Sequence, residues 1–548
     1  MVPIAIKVFN RFLTLAGGFF GFFNKPLAMK CYDKVLNDDP YNYKALESIT
    51  GVYKKTGRCE DAIDYMSNLL ESHPDNGLAW LHKGVNLGKM GSSEDAEKCF
   101  KEALKWFENR LQENSSDSIT WYNAGITLVN LEKYEKAISY FDKALTLKPT
   151  YSNAWKYKGL ALLNLEKNEE AIKCLDESLK EKPGDEEIWT YKGRALTNIK
   201  DYYKAIACFN RAIDVGFDYA MPNFYKSLVF GKIREYEEAL ECLNQIIKYD
   251  PQNEMAWKWK GQNFVFRRKY QEAVNSYDKA IKLNPNDSDV WSSKGDAFLY
   301  LKKYSESLKC FDKALELKPE DPDIYYSKGR VFRKIREYKK ALRCIDMAIE
   351  LDPEDPSFLD EKGFILKEID EKDETKHYHE LSLKYRKQEI IKEPDNLYLL
   401  AGISIPLVNL ERYDEALEYL NKAINKDAKY EWAISQKGYI LRKNRDYEQS
   451  LEWLDKAIEL DPEDPDNRYN KGRAFCGLKK YDEAMQQFDK ALELESEYEE
   501  VFFAKGILLK KLGKIEESEA CLKKAVEINP YFELAKKANK TMKLNDVI

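Results

Sequence analysis

The sequence predicts an all-α fold, a solenoid of stacked helix pairs, and three observations carry that class. Trp121, Trp155, Trp189, Trp257 and Trp291 fall in one register of 34 residues, with Tyr325 next in line. Gly125, Gly159, Gly193, Gly261, Gly295 and Gly329 follow these starts by four. Ala137, Ala171, Ala205, Ala239, Ala273 and Ala341 follow by sixteen, with Ser307 in the same slot. The second observation is punctuation. Pro149, Pro183, Pro251, Pro285, Pro319 and Pro353 close the segments beside Asp, Asn or Gly, while helix formers fill the intervals. The third is the stretch KCFDKALELKP at 309–319, whose near copies recur along the chain. Each period is therefore two amphipathic helices joined by a short turn.

This pattern resembles the tetratricopeptide repeat (TPR) family, whose 34-residue motif carries Trp, Gly, Ala, an aromatic, Ala and Pro at fixed places. With Trp at position 4, Gly is position 8, the small residues are 20 and 27, Phe or Leu is 24 and Pro is 32. Gly and Ala allow close helix approach, Trp and Phe fill the space between repeats, and Pro starts the next helix. The resemblance implies a right-handed α-α superhelix of about 15 helix-turn-helix repeats with a polar C-terminal capping helix.

The elements follow in order. Residues 1–117 hold a hydrophobic first helix, a degenerate repeat at 9–42, one at 43–76 and a 41-residue repeat at 77–117. Lys7 and Arg11 interrupt the apolar start, and the uncharged run 12–23 is too short to span a bilayer. A helix packed on its neighbour is expected there. Membrane contact through residues 1–23 is the alternative, as in an assembly factor anchored by them. Seven regular repeats fill 118–355. The repeat at 356–396 again has seven added residues after position 27, close to two helical turns, so a longer second helix is predicted in both 41-residue repeats. In 397–430, Gly402 and Ala416 are out of step and Pro406 falls inside the first helix, where it removes a hydrogen bond. Residues 356–430 are thus the expected joint. Regular repeats resume over 431–532, and 533–548 is the expected cap of the last segment, 431–548.

Lys and Arg number 88 against 94 Asp and Glu, a formal charge of −6 that argues against a general nucleic-acid binder. An RNA-binding helical repeat would need a continuous basic groove, and Asp289, Asp296 and Asp323 count against one. No phosphate loop, dinucleotide fingerprint or His-Glu-x-x-His occurs. His377 and His379 are two apart and point to different helix faces, unlike a metal pair. His379 holds position 24, a packing slot. Catalytic residues, metal sites, cofactors and a small-molecule substrate are not expected. Cys31, Cys99, Cys174, Cys208, Cys242, Cys310, Cys344 and Cys521 all occupy position 23, at the edge of the packing stripe. Equivalent helices lie more than about 8–10 Å apart, too far for a disulfide. Small apolar packing is the expectation, and free thiols suit a reducing cytoplasm. Only Cys59 and Cys476 fall outside this frame.

On a helical wheel, positions 4, 7, 8 and 11 of the first helix form the core side and positions 2, 5, 9, 12 and 13 the opposite side. The family resemblance makes that opposite side a concave groove for an extended peptide or partner helix. The candidates are Arg194, Asn198, Lys232, Lys258, Gln262, Phe266, Asp296, Tyr300, Arg330 and Lys334, with Asp289, Asp323 and Arg333 alongside. Position 6 adds a row of Tyr157, Tyr191, Tyr225 and Trp259, which either packs between repeats or lines the groove wall. Some family members grip acidic chaperone tails with Lys and Asn at positions 5 and 9, Asn at 6 of the next repeat, and Lys and Arg at 2 and 6 of the third. Here Lys258 and Gln262 are followed by Ser293, Asp323 and Ser327, which do not make that grip. The expected role is a non-catalytic scaffold for protein or peptide partners. Self-association stays open.

Overall fold

The structure, a computed structural model, describes residues 25–55, 58–216, 219–532 and 535. Regular structure among them is helical throughout, and consecutive helices pack in pairs. Outside the two long repeats and 397–430, every repeat from 43–76 onward puts its first helix over positions 1–13 and its second over 17–30. Ser118–Asn130 with Tyr134–Leu147 and Glu186–Asn198 with Tyr202–Val215 are examples. The apolar start at 1–23 lies outside the described residues. So does the closing segment 533–548, apart from Ala535, which is buried against Phe503 and Phe532.

Helix ends are set by local chemistry. The last residue of one repeat caps the first helix of the next: Asp117 accepts from the Ile119 and Thr120 amides, and Asp185, Asn253 and Asp287 do the same for theirs. Position 15 turns left-handed in repeat after repeat, whether it holds Glu132 (φ 57°), Lys200 (φ 64°), Arg336 (φ 62°) or Gly513 (φ 78°). The next amide then reaches back to the carbonyl of position 11, as Lys133 does to Leu128 at 2.9 Å, closing the first helix.

The core confirms the meaning of the recurring residues. Ala137, Ala144, Ala205 and Ala212 are fully buried, as are Phe141, Phe209 and Phe311 at position 24. A Cβ on Gly125 or Gly193 would meet the Phe141 or Phe209 ring at 2.5 Å, so the glycine is where the aromatic enters. Where Ser307 replaces alanine, its hydroxyl donates to the Gly295 carbonyl at 2.7 Å and satisfies itself. The tryptophans also tie the loop before them. Trp155 Nε1 donates to the Pro149 carbonyl and Trp189 to that of Pro183, each at 2.9 Å.

Position 7 departs from expectation. It holds lysine in most repeats; where position 4 is tryptophan the side chain lies over that ring, and in most of these repeats the ammonium reaches position 25 of the preceding repeat. Lys158–Asp142 (2.6 Å) and Lys192–Asp176 (2.5 Å) are examples, as are Lys294–Asp278 (2.6 Å) and Lys328–Asp312 (2.5 Å). Lys158 and Lys192 sit about 5.5 Å from the Trp155 and Trp189 centroids. Position 7 faces the core by angle alone, and a long lysine stem covers apolar surface while its charge escapes to a partner. Positions 8 and 11 of the expected core side are buried, as Gly193 and Leu196 show, and positions 3 and 10 join them, as Ile188 and Ala195 show.

The irregular segments take the forms their sequences predict. Ser93–Glu113 and Lys372–Lys392 are both 21-residue helices. The first helix of 397–430 is broken into Leu397–Gly402 and Ser404–Asn409 at Ile403, three residues before Pro406.

The chain divides into two compact lobes, residues 1–267 and 268–548. The first is a run of helix pairs. Within the second, residues about six repeats apart meet: Arg268 pairs with Asp464 at 2.8 Å, and Lys302 with Glu499 at 2.5 Å. Both cations stand at the left-handed position 15, and Asp464 also caps the helix Pro465–Gly477.

Candidate partner-binding faces of the first helices

In the first lobe, the predicted residues separate into a floor and a rim. Arg194, Lys258 and Gln262, at positions 9, 5 and 9, are half-buried, while Asn198, Lys232 and Phe266 at position 13 are exposed. The Arg194 guanidinium lies 5.0 Å from the Tyr225 centroid and 6.0 Å from that of Tyr191. Position 6 is therefore a packing row that also holds a cation: Tyr225 stacks on Phe209 at 6.1 Å, and Tyr157 lies against Phe141. Asn198 receives a neighbour's support, donating to Asn168 at 2.9 Å.

The second lobe repeats the division. Asp296 and Arg330, both at position 9, form the floor, and Tyr300 and Lys334, at position 13, the rim. Arg330 stands 5.6 Å from the Tyr326 centroid. Asp296 Oδ1 is buried with no hydrogen-bond partner among the described residues. Burial pushes this carboxyl up to about 6 from the ordinary 3.8, against the pull of Arg330. Two neighbours have other roles. Asp289 pairs with Lys318 at 2.6 Å, and Arg333 with the buried Glu361 at 2.6 Å.

The raised Asp296 carboxyl has a stability consequence with a definite sign. Its folded value lies above its unfolded one, so its favourable contribution is complete below pH 3.8 and is lost as pH rises through about 6. Asp296→Asn is expected to stabilise the second lobe at neutral pH, by up to about 3 kcal/mol. Its advantage over wild type should vanish at acid pH. Thermal unfolding of both proteins at the two pH values checks this, and a variant less stable at neutral pH would contradict it.

A further row was not anticipated. Position 17, the first residue of the second helix, is tyrosine in nine repeats, among them Tyr236, Tyr270, Tyr447 and Tyr481. It meets position 13 of the following repeat. Tyr236 stacks on Phe266 at 5.8 Å, and Tyr270 on Tyr300 at 4.8 Å with planes 12° apart. The 34-residue recurrence of this tyrosine was the available signal. In the first lobe Ser93 holds position 17 and Gly88 is nearby. There an open cleft of about 670 Å³ remains, lined by Val85, Lys89, Phe100, Asn130 and Leu131 among others.

Most of the position 23 thiols and His379 are packed. Cys174, Cys208, Cys242 and Cys310 are buried, and burial raises each thiol to about 11. Cys476 likewise lies among Phe488, Phe503 and Leu508. His379 is fully buried against Phe364 and shares a hydrogen bond with Asp360 at 3.0 Å, as a position 24 ring should pack. Among the described residues no helix is long and apolar enough to cross a membrane.

Comparison with known proteins bears on this geometry. Models described as tetratricopeptide repeat or TPR repeat match residues 78–110, 118–151, 158–218, 226–253, 261–299, 295–335, 322–355, 438–478, 465–498 and 499–532. None of these spans enters 356–437, the stretch with the long and the broken helix. No curated protein matches the chain. Among solved structures, it is similar to one described as "Crystal structure of APC/C hetero-tetramer Cut9-Hcn1". That match has 13% identity over 91% of this chain and 96% of that one, with a TM-score of 0.47. It is also similar to "MamA RS-1 ArsTM double mutant", at 22% identity over 32% of this chain and 97% of that one, with a TM-score of 0.29. The matched spans together take in more than half of the sequence, and the regular helix pairs follow the same 34-residue plan: the chain belongs to the tetratricopeptide repeat family.

Proposed function

We propose that the chain is a non-catalytic scaffold that holds extended segments or helices of partner proteins on the first-helix faces of residues 118–355. Arg194, Asn198, Lys232, Lys258, Gln262 and Phe266 would contact a partner in the first lobe, and Asp296, Tyr300, Arg330 and Lys334 in the second. The observation that carries this reading is the state of the rim aromatics. Phe266 is 56% exposed and Tyr300 46% exposed, yet each is stacked on a position 17 tyrosine. An exposed ring held in one orientation offers apolar contact at little cost in side-chain entropy. Half-buried arginines beside these rings add directional donors. Cytoplasmic residence remains part of the proposal, on the strength of the free thiols.

Affinity purification with the wild type and with an Arg194→Ala, Lys258→Ala, Arg330→Ala variant tests it. The variant should keep its helical circular dichroism and lose most of its captured partners. Capture of the same partners by both proteins would remove the groove assignment.

A further inference from the structure

The last repeats of the second lobe carry cations on the same face, but without counter-charges. Arg442 and Lys443 occupy positions 12 and 13 of 431–464, Arg473 position 9 of 465–498, Lys511 position 13 of 499–532 and Lys367 position 12 of 356–396. Arg442 and Arg473 are half-buried, whereas Lys367, Lys443 and Lys511 are exposed, the floor and rim seen upstream. Their recorded contacts are with rings, one amide and one hydroxyl. Arg442 stands 5.2 Å and Lys443 5.8 Å from the Tyr439 centroid, and Lys511 5.2 Å from that of Tyr481. Arg473 donates to the Tyr469 hydroxyl at 2.8 Å, and Lys367 to Asn409 at 3.4 Å. None of the five forms an ion pair with a carboxylate among the described residues, and Arg442 Nε is buried without a hydrogen-bond partner.

The most deeply buried cations elsewhere among the described residues have a carboxylate partner. Lys156 pairs with Glu187 at 2.8 Å, Arg333 with Glu361, and Arg386 with Asp360 at 2.9 Å. Here the charges perturb one another instead. Burial, and then Arg473, lower Arg442, while burial, Arg442, Lys367 and Arg473 lower Lys443. Acids on the same helices are committed elsewhere: Glu368 accepts from Tyr338 and Asp466 from Tyr498. Such a cluster weakens the free protein and is explained when a ligand supplies the missing charge.

We infer that Arg442, Lys443, Arg473, Lys511 and Lys367 form a second docking surface, one that takes an extended acidic segment of a partner protein. Its carboxylates would seat on the two guanidiniums, and the flanking Tyr439 and Tyr469 rings would cover apolar side chains between them. Guanidiniums suit this because their fork matches a carboxylate in two-point geometry. The chain's net charge of −6 favours a short acidic run over a long polyanion, which would be repelled beyond the cluster. Apart from position 9, these positions differ from those of the chaperone-tail grip, and the residues differ from those proposed for 118–355.

The test uses the full chain and a fluorescent peptide alternating Glu with Phe and Leu, read by anisotropy. Binding should weaken steeply with added salt. It should be lost when Gln replaces every Glu of the peptide, and Arg442→Gln with Arg473→Gln should weaken it at least about tenfold, the scale of one charge-assisted contact. The unfolding midpoint of that variant should not fall, because it removes repulsion. Arg194→Ala should leave this peptide's affinity unchanged, which separates the surface from the upstream one. Should the Gln variant disturb the fold, Lys443→Gln with Lys511→Gln supplies the same comparison from exposed positions. Equal affinity for the wild type and both variants overturns the inference. So does tighter binding of a single-stranded RNA of equal charge than of the acidic peptide.

Discussion

Replacing Asp360 by alanine should cost the second lobe about 3–5 kcal/mol, among the largest single-residue effects in the chain. Asp360 is 3% exposed and accepts from both His379 Nδ1 at 3.0 Å and Arg386 at 2.9 Å. Its removal leaves the Arg386 guanidinium, whose side chain is 11% exposed, with no carboxylate in a low-dielectric setting. The position matters as well as the charge. Asp360 lies in the first helix of 356–396 and Arg386 in the elongated second helix, Lys372–Lys392. Arg386 Nη1 also lies 3.0 Å from where a Cβ on Gly402 would stand, in the broken helix of the next repeat. The pair thus ties the first helix of 356–396 to its elongated second helix, beside the broken helix of the next repeat. Because an unpaired buried charge is the main penalty, Asp360→Ala with Arg386→Met should cost less than Asp360→Ala alone. Urea unfolding of the single and double variants measures this. A double variant no better than the single would show that packing, not charge, holds the segment.

The second large effect contrasts two adjacent residues. Phe209→Ala should destabilise the first lobe by about 3–5 kcal/mol, while Cys208→Ala costs about 1 kcal/mol or less. Phe209 is fully buried, fills the space over Gly193 and stacks on Tyr225. Cys208 is 6% exposed and loses only its sulfur on truncation. With its thiol raised to about 11 by burial, Cys208 should also resist alkylation in the native protein at neutral pH and react on unfolding. In the first lobe helix pairs pack on their sequence neighbours, so the loss should concentrate around 186–253 in hydrogen exchange. A larger cost for the cysteine than for the phenylalanine would give position 23 a role beyond packing.

Local features of the fold were legible because each arises within one period. Gly125 sixteen residues before Phe141 is a close helix contact in the structure as in the pattern. Seven added residues became the longer helices Ser93–Glu113 and Lys372–Lys392 because two turns return the apolar side chains to the same face. Pro406 broke its helix close to the expected place for lack of an amide proton. Position 7 shows where angle alone misleads. A wheel records direction and not the reach of a lysine, so Lys158 and its counterparts looked like core positions although their ammonium groups sit on the preceding repeat's aspartates.

The sequence by itself determined the period, the repeat boundaries and the packing of position 24 against the glycine of position 8. Only the tertiary structure decided which members of the open side are floor and which are rim. It also paired Tyr270 with Tyr300, set Arg268 against Asp464 across 196 residues, and left Arg442 and Arg473 without a carboxylate. The reason is physical. Contacts within a repeat depend on helix geometry, which is the same everywhere. Contacts between distant repeats depend on the rotation accumulated from one helix pair to the next, and a single period does not encode that sum.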